Sequence, residues 1–194
     1  MLIQLRPFTP ADFPRLIQAI DSPRIMVQWG GPLQFRFPLT EAQLAEYLTL
    51  AEGEPPGARI FTALDEQGQA VGHIELGFID YKNATAAASR VFVFALARRR
   101  GVCTAMIDRL LEIGFGEMGL RRIELRVYAF NTPAIRCYER AGFLREGLLR
   151  QAHRVGDEVW DLVVMGILRE EWQVALSTNI VRRGARRADQ NRAI

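Results

Sequence analysis

The stretch of this 194-residue chain best equipped for chemistry is Val91-Phe92-Val93-Phe94-Ala95-Leu96-Ala97-Arg98-Arg99-Arg100-Gly101-Val102-Cys103-Thr104. An apolar strand runs through a basic turn straight into a helix, and that layout suits an anion. The first amides of a helix lack intrahelical partners and carry about half a positive charge from the aligned peptide dipoles, so a diphosphate there gains several hydrogen bonds together. Gly101 lets the backbone approach closely, and Arg98, Arg99 and Arg100 add charge that complements phosphate oxygens. The turn has one glycine where a dinucleotide fingerprint needs three, and it lacks the lysine of a nucleoside triphosphate loop. Nicotinamide binding and nucleotide hydrolysis are therefore disfavoured.

A second constellation opens a later helix at Asn131-Thr132-Pro133-Ala134-Ile135-Arg136-Cys137-Tyr138. Pro133 favours the first helical position, which predicts Thr132 as the cap and leaves the Asn131 amide free for a ligand. Tyr138 follows on the face shared with Ala134 and Ile135; taken alone it reads as a core tyrosine with a satisfied hydroxyl.

Together these residues carry a family resemblance. Arg98-x-x-Gly101-x-Cys103 resembles the Q/R-x-x-G-x-G/A coenzyme A signature of the GNAT acyltransferase superfamily, with cysteine where the family has glycine or alanine. Asn131, Ala134, Tyr138, Gly142 and Phe143 match the family's later N-x-x-A-x-x-x-Y-x-x-x-G-F pattern. The resemblance runs over residues 2–168, and the ending from Phe143 through Trp172 looks most like the branch containing ribosomal-protein N-terminal acetyltransferases.

The resemblance implies an α+β GNAT fold, with a mixed, mostly antiparallel sheet of about seven strands flanked by helices. It implies an N-acetyltransferase using acetyl-CoA as co-substrate and a primary amine of a small molecule or polypeptide as acceptor, by direct attack in a ternary complex. A non-catalytic acyl-CoA sensor or interaction module on the same fold is the alternative. Phe94, Ala95, Arg98, Arg99, Arg100, Gly101, Val102, Cys103, Thr104 and Asn131 are the implied coenzyme A contacts. The pantetheine arm would lie between residues 91–95 and 123–128, with an amide near Phe94 polarising the thioester carbonyl. Tyr138 would protonate the departing thiolate. For the amine's proton the sequence offers Glu75, with His73 on the same strand face by period-two spacing, then Glu124, or water. Cys103 is disfavoured as a nucleophile because no histidine accompanies it in the motif.

The totals fit one domain over residues 1–177, with a basic tail over 178–194. Apolar residues make up 49% of the chain, enough for a continuous core. The tail holds five arginines and one aspartate, so the net charge of +3 describes the tail rather than the body and argues little for nucleic acid. No apolar run reaches the roughly 20 residues of a membrane span, and the start lacks export features, which predicts a cytoplasmic protein. Cys103 and Cys137 have no metal-type spacing, and His73 and His153 are far apart, so a disulfide framework and a metal centre are both disfavoured. A homodimer stays open.

The elements that must position these groups follow from pattern. Leu2–Leu5 reads as a strand and Thr9–Asp12 as a helix start. Residues 21–39, with Pro23, Gly30, Gly31, Pro32 and Pro38 among Trp29, Phe35 and Phe37, read as an ordered loop, either facing substrate or packing its aromatics on the core. Thr40-Glu41-Ala42-Gln43 fits a capping box. Arg59–Leu64, Gln69–Asp80 and Ala86–Ala95 form an antiparallel meander, Gly101 to about Met118 an amphipathic helix, and Ile123–Tyr128 a strand. Two last strands, about Phe143–Gln151 and Glu158–Leu168, close the sheet.

Overall fold

The computed structural model describes residues 2–177; the basic tail, and any nucleic-acid contact expected of it, lies outside the described residues. Strands β1 (Gln4–Pro7), β2 (Arg59–Leu64), β3 (Ala70–Asp80), β4 (Thr85–Val93), β5 (Arg122–Tyr128), β6 (Leu144–Val155) and β7 (Glu158–Leu168) form one sheet. Their order is β1-β2-β3-β4-β5-β7-β6. Helices α1 (Phe13–Ala19), α2 (Pro23–Gln34), α3 (Glu41–Leu48), α4 (Val102–Leu111) and α5 (Thr132–Arg140) cover it. All strand pairs are antiparallel except β4 with β5. A parallel pair needs a crossover, and α4 supplies it.

Strand alternation divides the core in two. In β2, Phe61 and Ala63 join the cluster beneath α4 and α5, whereas Ile60 faces the cluster beneath α1, α2 and α3. α4 buries Val102, Met106, Ile107, Leu110 and Leu111, one stripe of the 3.6-residue repeat.

The expected loop over 21–39 is largely α2. The Ser22 hydroxyl accepts from the Ile25 amide at 3.3 Å and Pro23 occupies the first turn, so a cap and a preset φ start a helix that the later glycines fail to prevent. Those glycines act locally: Gly31 sits at φ 76° with Pro32 after it, and the helix kinks there. Trp29 and Phe35 are buried while Phe37 is exposed.

β4 contains one residue too many for its partner. From His73 to Glu75 β3 advances two residues, while β4 advances three, from Ser89 to Phe92. The surplus is absorbed at a bulge where Arg90 has φ 49°, and such bulges bend the strand that carries them. Arg90 is held by Glu75 and by Gln34 of α2, and its guanidinium lies 4.9 Å from the Tyr47 ring centroid. The Arg90 and Glu75 side chains are 6% and 2% exposed, so this ion pair is internal. β4 leaves β5 just ahead of the bulge: the two pair only at Thr85↔Arg122, Ala86↔Ile123 and Ala87↔Glu124.

The expectation of no disulfide is overturned, since Cys103 of α4 and Cys137 of α5 are bonded with Cα atoms 6.4 Å apart. Their separation of 34 residues conceals a contact made only when the first turn of α4 meets the middle of α5. Among the described residues no cluster of His, Cys, Asp and Glu could hold a metal, and no helix is long and apolar enough to cross a membrane.

Two stability experiments follow. Arg90→Met strands Glu75 in the core and is expected to cost about 3–5 kcal/mol, with part recovered in the Arg90→Met, Glu75→Gln double variant. Urea unfolding of the wild type, both single variants and the double variant checks this; additive losses would mean the pair has no internal coupling. Closing a loop of this length is worth up to about 4 kcal/mol in unfolded-chain entropy. Cys103→Ala should therefore lower the urea midpoint, and reductant should lower that of the wild type alone.

Candidate functional site

The gap between β4 and β5 opens into a cleft of about 820 Å3. Val91, Phe92 and Val93 form its sheet side, and the turn before α4 closes one end. Asn131 and Tyr138 contribute from the α5 segment; Ile25, Gln28 and Trp29 of α2 face in as well.

The turn is shaped for an anion. Gly101 is the N-cap of α4 at φ 80°, and its side-chain-free cap leaves the following amides for a ligand. Arg99 also has positive φ, at 62°, a conformation that costs a non-glycine residue free energy and clusters at binding sites. Alternating left- and right-handed backbone makes successive N–H groups converge. Arg98 folds back, its Nε donating to the Val93 carbonyl at 3.1 Å with the guanidinium over the Phe92 ring. Of the expected contacts, Arg98, Arg99, Gly101, Val102, Cys103, Thr104 and Asn131 line the cleft.

Phe94, Ala95 and Arg100 do not line it. The Phe94 ring belongs to the core beneath α1 to α3, and its amide already donates to the Val71 carbonyl at 2.9 Å. That bond faces Phe94 towards β3, so strand alternation turns the peptide of Val93 towards the gap, as the Arg98 contact also requires. Ala95 is exposed in a short turn, its carbonyl accepting from the Arg98 amide at 3.3 Å. Arg100 is exposed outside the cleft.

α5 starts one residue earlier than its proline suggests. Asn131, not Thr132, is the cap, its Oδ1 accepting from the Ala134 amide at 3.3 Å, because asparagine competes well for that position. The Asn131 Nδ2 stays a donor at the cleft wall. Tyr138 is 7% exposed, and burial pushes its phenol well above the ordinary value of 10, which keeps it protonated at neutral pH. Sulfur is close at hand: Thr104 Oγ1 lies 3.7 Å from Cys137 Sγ.

Glu75 and His73 share a strand face as expected, but that face lies beneath α1 to α3 and away from the cleft, each residue being 1% exposed. Tyr47 donates to Glu75 Oε2 at 2.6 Å and its hydroxyl lies 3.2 Å from His73 Nε2. Burial, then the Arg90 charge, pulls His73 down to about 3, so it is neutral. The Glu75 carboxylate is occupied by Arg90 and Tyr47, which argues against the expected proton-accepting role. Glu124 pairs with Arg122 at 3.2 Å. The sequence reading allowed residues 21–39 to face substrate but missed the helix that does so: Ile25 and Trp29 are four residues apart and Gln28 lies three from Ile25, a helical spacing hidden by the nearby glycines and prolines.

The acetyltransferase (GNAT) family profile matches residues 27–143. An N-acetyltransferase of Bacillus subtilis, YokL, is 33% identical over 114 residues, covering 59% of this chain and 64% of that protein. The chain thus spans under two thirds of the length of that relative. An aminoglycoside N(6')-acetyltransferase of Klebsiella pneumoniae is 27% identical, covering 75% of each chain. Among solved structures, a spermidine N-acetyltransferase of Vibrio cholerae in complex with CoA and spermine superposes with a TM-score of 0.77 at 24% identity, covering 88% of this chain and 98% of that one. The parted β4 and β5, the glycine-capped turn and the family match over most of the sheet agree, and the chain belongs to the acetyltransferase (GNAT) family.

Proposed function

We propose that this protein transfers an acetyl group from acetyl-CoA to a primary amine by direct attack in a ternary complex. The observation that carries the proposal is that the anion-shaped turn at Gly101 and the buried, protonated Tyr138 line one cleft. Acetyl-CoA supplies the activated acyl group. The amides of Val102, Cys103 and Thr104, with Arg98 and Arg99, hold its diphosphate. Asn131 Nδ2 donates to the pantetheine arm.

The peptide N–H of Val93 takes the role expected near Phe94, donating to the carbonyl oxygen as negative charge develops on it. A preorganised donor of this kind is worth about 3 kcal/mol. Tyr138 gives its proton to the leaving sulfur, and burial ensures that the phenol still carries that proton when the thiolate forms. No carboxylate or imidazole lines the cleft among the described residues, so the amine's proton leaves through water. Glu75 holds the β4 bulge instead of acting as base. Placement in the ribosomal-protein branch rests on the ending from Phe143 to Trp172 and on a short match, 32% identical over 74 residues, to a putative ribosomal N-acetyltransferase of Bacillus subtilis. The relatives named above act on aminoglycosides and spermidine, which supports an amine acceptor without choosing a polypeptide.

Labelled acetyl-CoA and a panel of amines test the proposal; no transfer to any small or polypeptide amine would sink it. Tyr138→Phe is expected to lower kcat about 100-fold while leaving acetyl-CoA affinity unchanged. Gly101→Ala forces a Cβ into left-handed backbone, so it should weaken acetyl-CoA binding about tenfold by calorimetry and change kcat less. Equal affinity in the two proteins would remove the turn from the binding site.

A further inference from the structure

The walls of the cleft differ in charge. Its charged lining residues are all arginines, Arg98 and Arg99 on the turn and Arg136 and Arg140 on α5. Ile25, Gln28 and Trp29 of α2, with Phe92 on the same side of the sheet, present no charge at all. Three acids outside the cleft are engaged with other groups. Glu75 is held by Arg90 and Tyr47, and Glu158 accepts from Arg24 at 2.6 Å and Trp160 Nε1 at 2.7 Å. Asp161 accepts the Gln151 amide at 2.7 Å.

An alkylammonium bound in such surroundings loses hydration and meets no anion in return. A polyamine that gives up one proton for attack still carries further ammonium charges, and each would face this neutral wall, which offers no carboxylate. An apolar body gains instead from burial against Ile25 and the Trp29 and Phe92 rings, which share one side of the sheet, with Gln28 as a neutral hydrogen-bonding partner. We infer that the acceptor is a monoamine with an apolar or aromatic body, and that this chain is not a polyamine acetyltransferase despite its fold likeness to one. The inference rests on the acetyl-transfer reading above.

The test compares kcat/KM for 2-phenylethylamine and spermidine at saturating acetyl-CoA and low salt, in the wild type and in Gln28→Glu, with acetyl-CoA binding measured separately by calorimetry. The wild type should favour 2-phenylethylamine by at least about tenfold. Gln28→Glu places a carboxylate on a partly exposed helix face and should shift the ratio towards spermidine by about tenfold, an effect that shrinks as salt is added. Wild-type activity on spermidine equal to or above that on 2-phenylethylamine overturns the inference, as does acetyl-CoA binding with neither amine acetylated. Failure to bind acetyl-CoA overturns the transfer reading itself, and with it the inference.

Discussion

Two neighbouring strands of a sheet separate only if one of them stops following the other, and in this protein β4 does so after Ala87, on the approach to its bulge at Arg90. The surplus residue in β4 bends the strand, but a bulge alone could be straightened by slippage of the register. The Arg90 guanidinium makes slippage costly, because a shift of one residue would carry a buried charge away from Glu75 or leave the carboxylate behind. The gap between β4 and β5, and therefore the whole cleft, depends on that internal pair.

On this frame the work is divided among segments distant in sequence. In the proposed reaction the turn from Arg98 to Thr104 meets charge with backbone amides and Tyr138 offers a proton held by burial, while α2 shapes the remaining wall. The Cys103–Cys137 bond ties the first two together, joining the start of α4 to the residue beside Tyr138. The spacing between the turn at Gly101 and Tyr138 is thus covalently limited as well as packed.

Much of this was legible from local pattern. The strand–turn–helix around Gly101 and the capped helix carrying Tyr138 each announce themselves within about fifteen residues, where dipoles, caps and periodicity decide the structure. What escaped depends on long-range packing. Glu75 and His73 share a strand face, and period two says so, but it cannot say that the face lies under three helices instead of in the cleft. Phe94 was placed in the site by its nearness to the turn, whereas the direction of its amide follows from pairing with Val71. α2 was read as a loop because Gly30, Gly31 and Pro32 weigh heavily in a local reading, while the Ser22 cap and the burial of Trp29 prevail in the folded chain. The disulfide required knowing that two helices meet.

Arg90 has a further property beyond fixing β4. Its guanidinium touches Gln34 at the end of α2, the Tyr47 ring of α3 and the Glu75 carboxylate of β3. The helix that faces the cleft through Ile25, Gln28 and Trp29 is therefore anchored, past its kink at Gly31, to the residue that parts the strands. A displacement of α2 either breaks the Gln34 contact or pulls on the bulge, so the two sides of the cleft share one mechanical joint, and crowding on one side is felt by the peptide groups of the other.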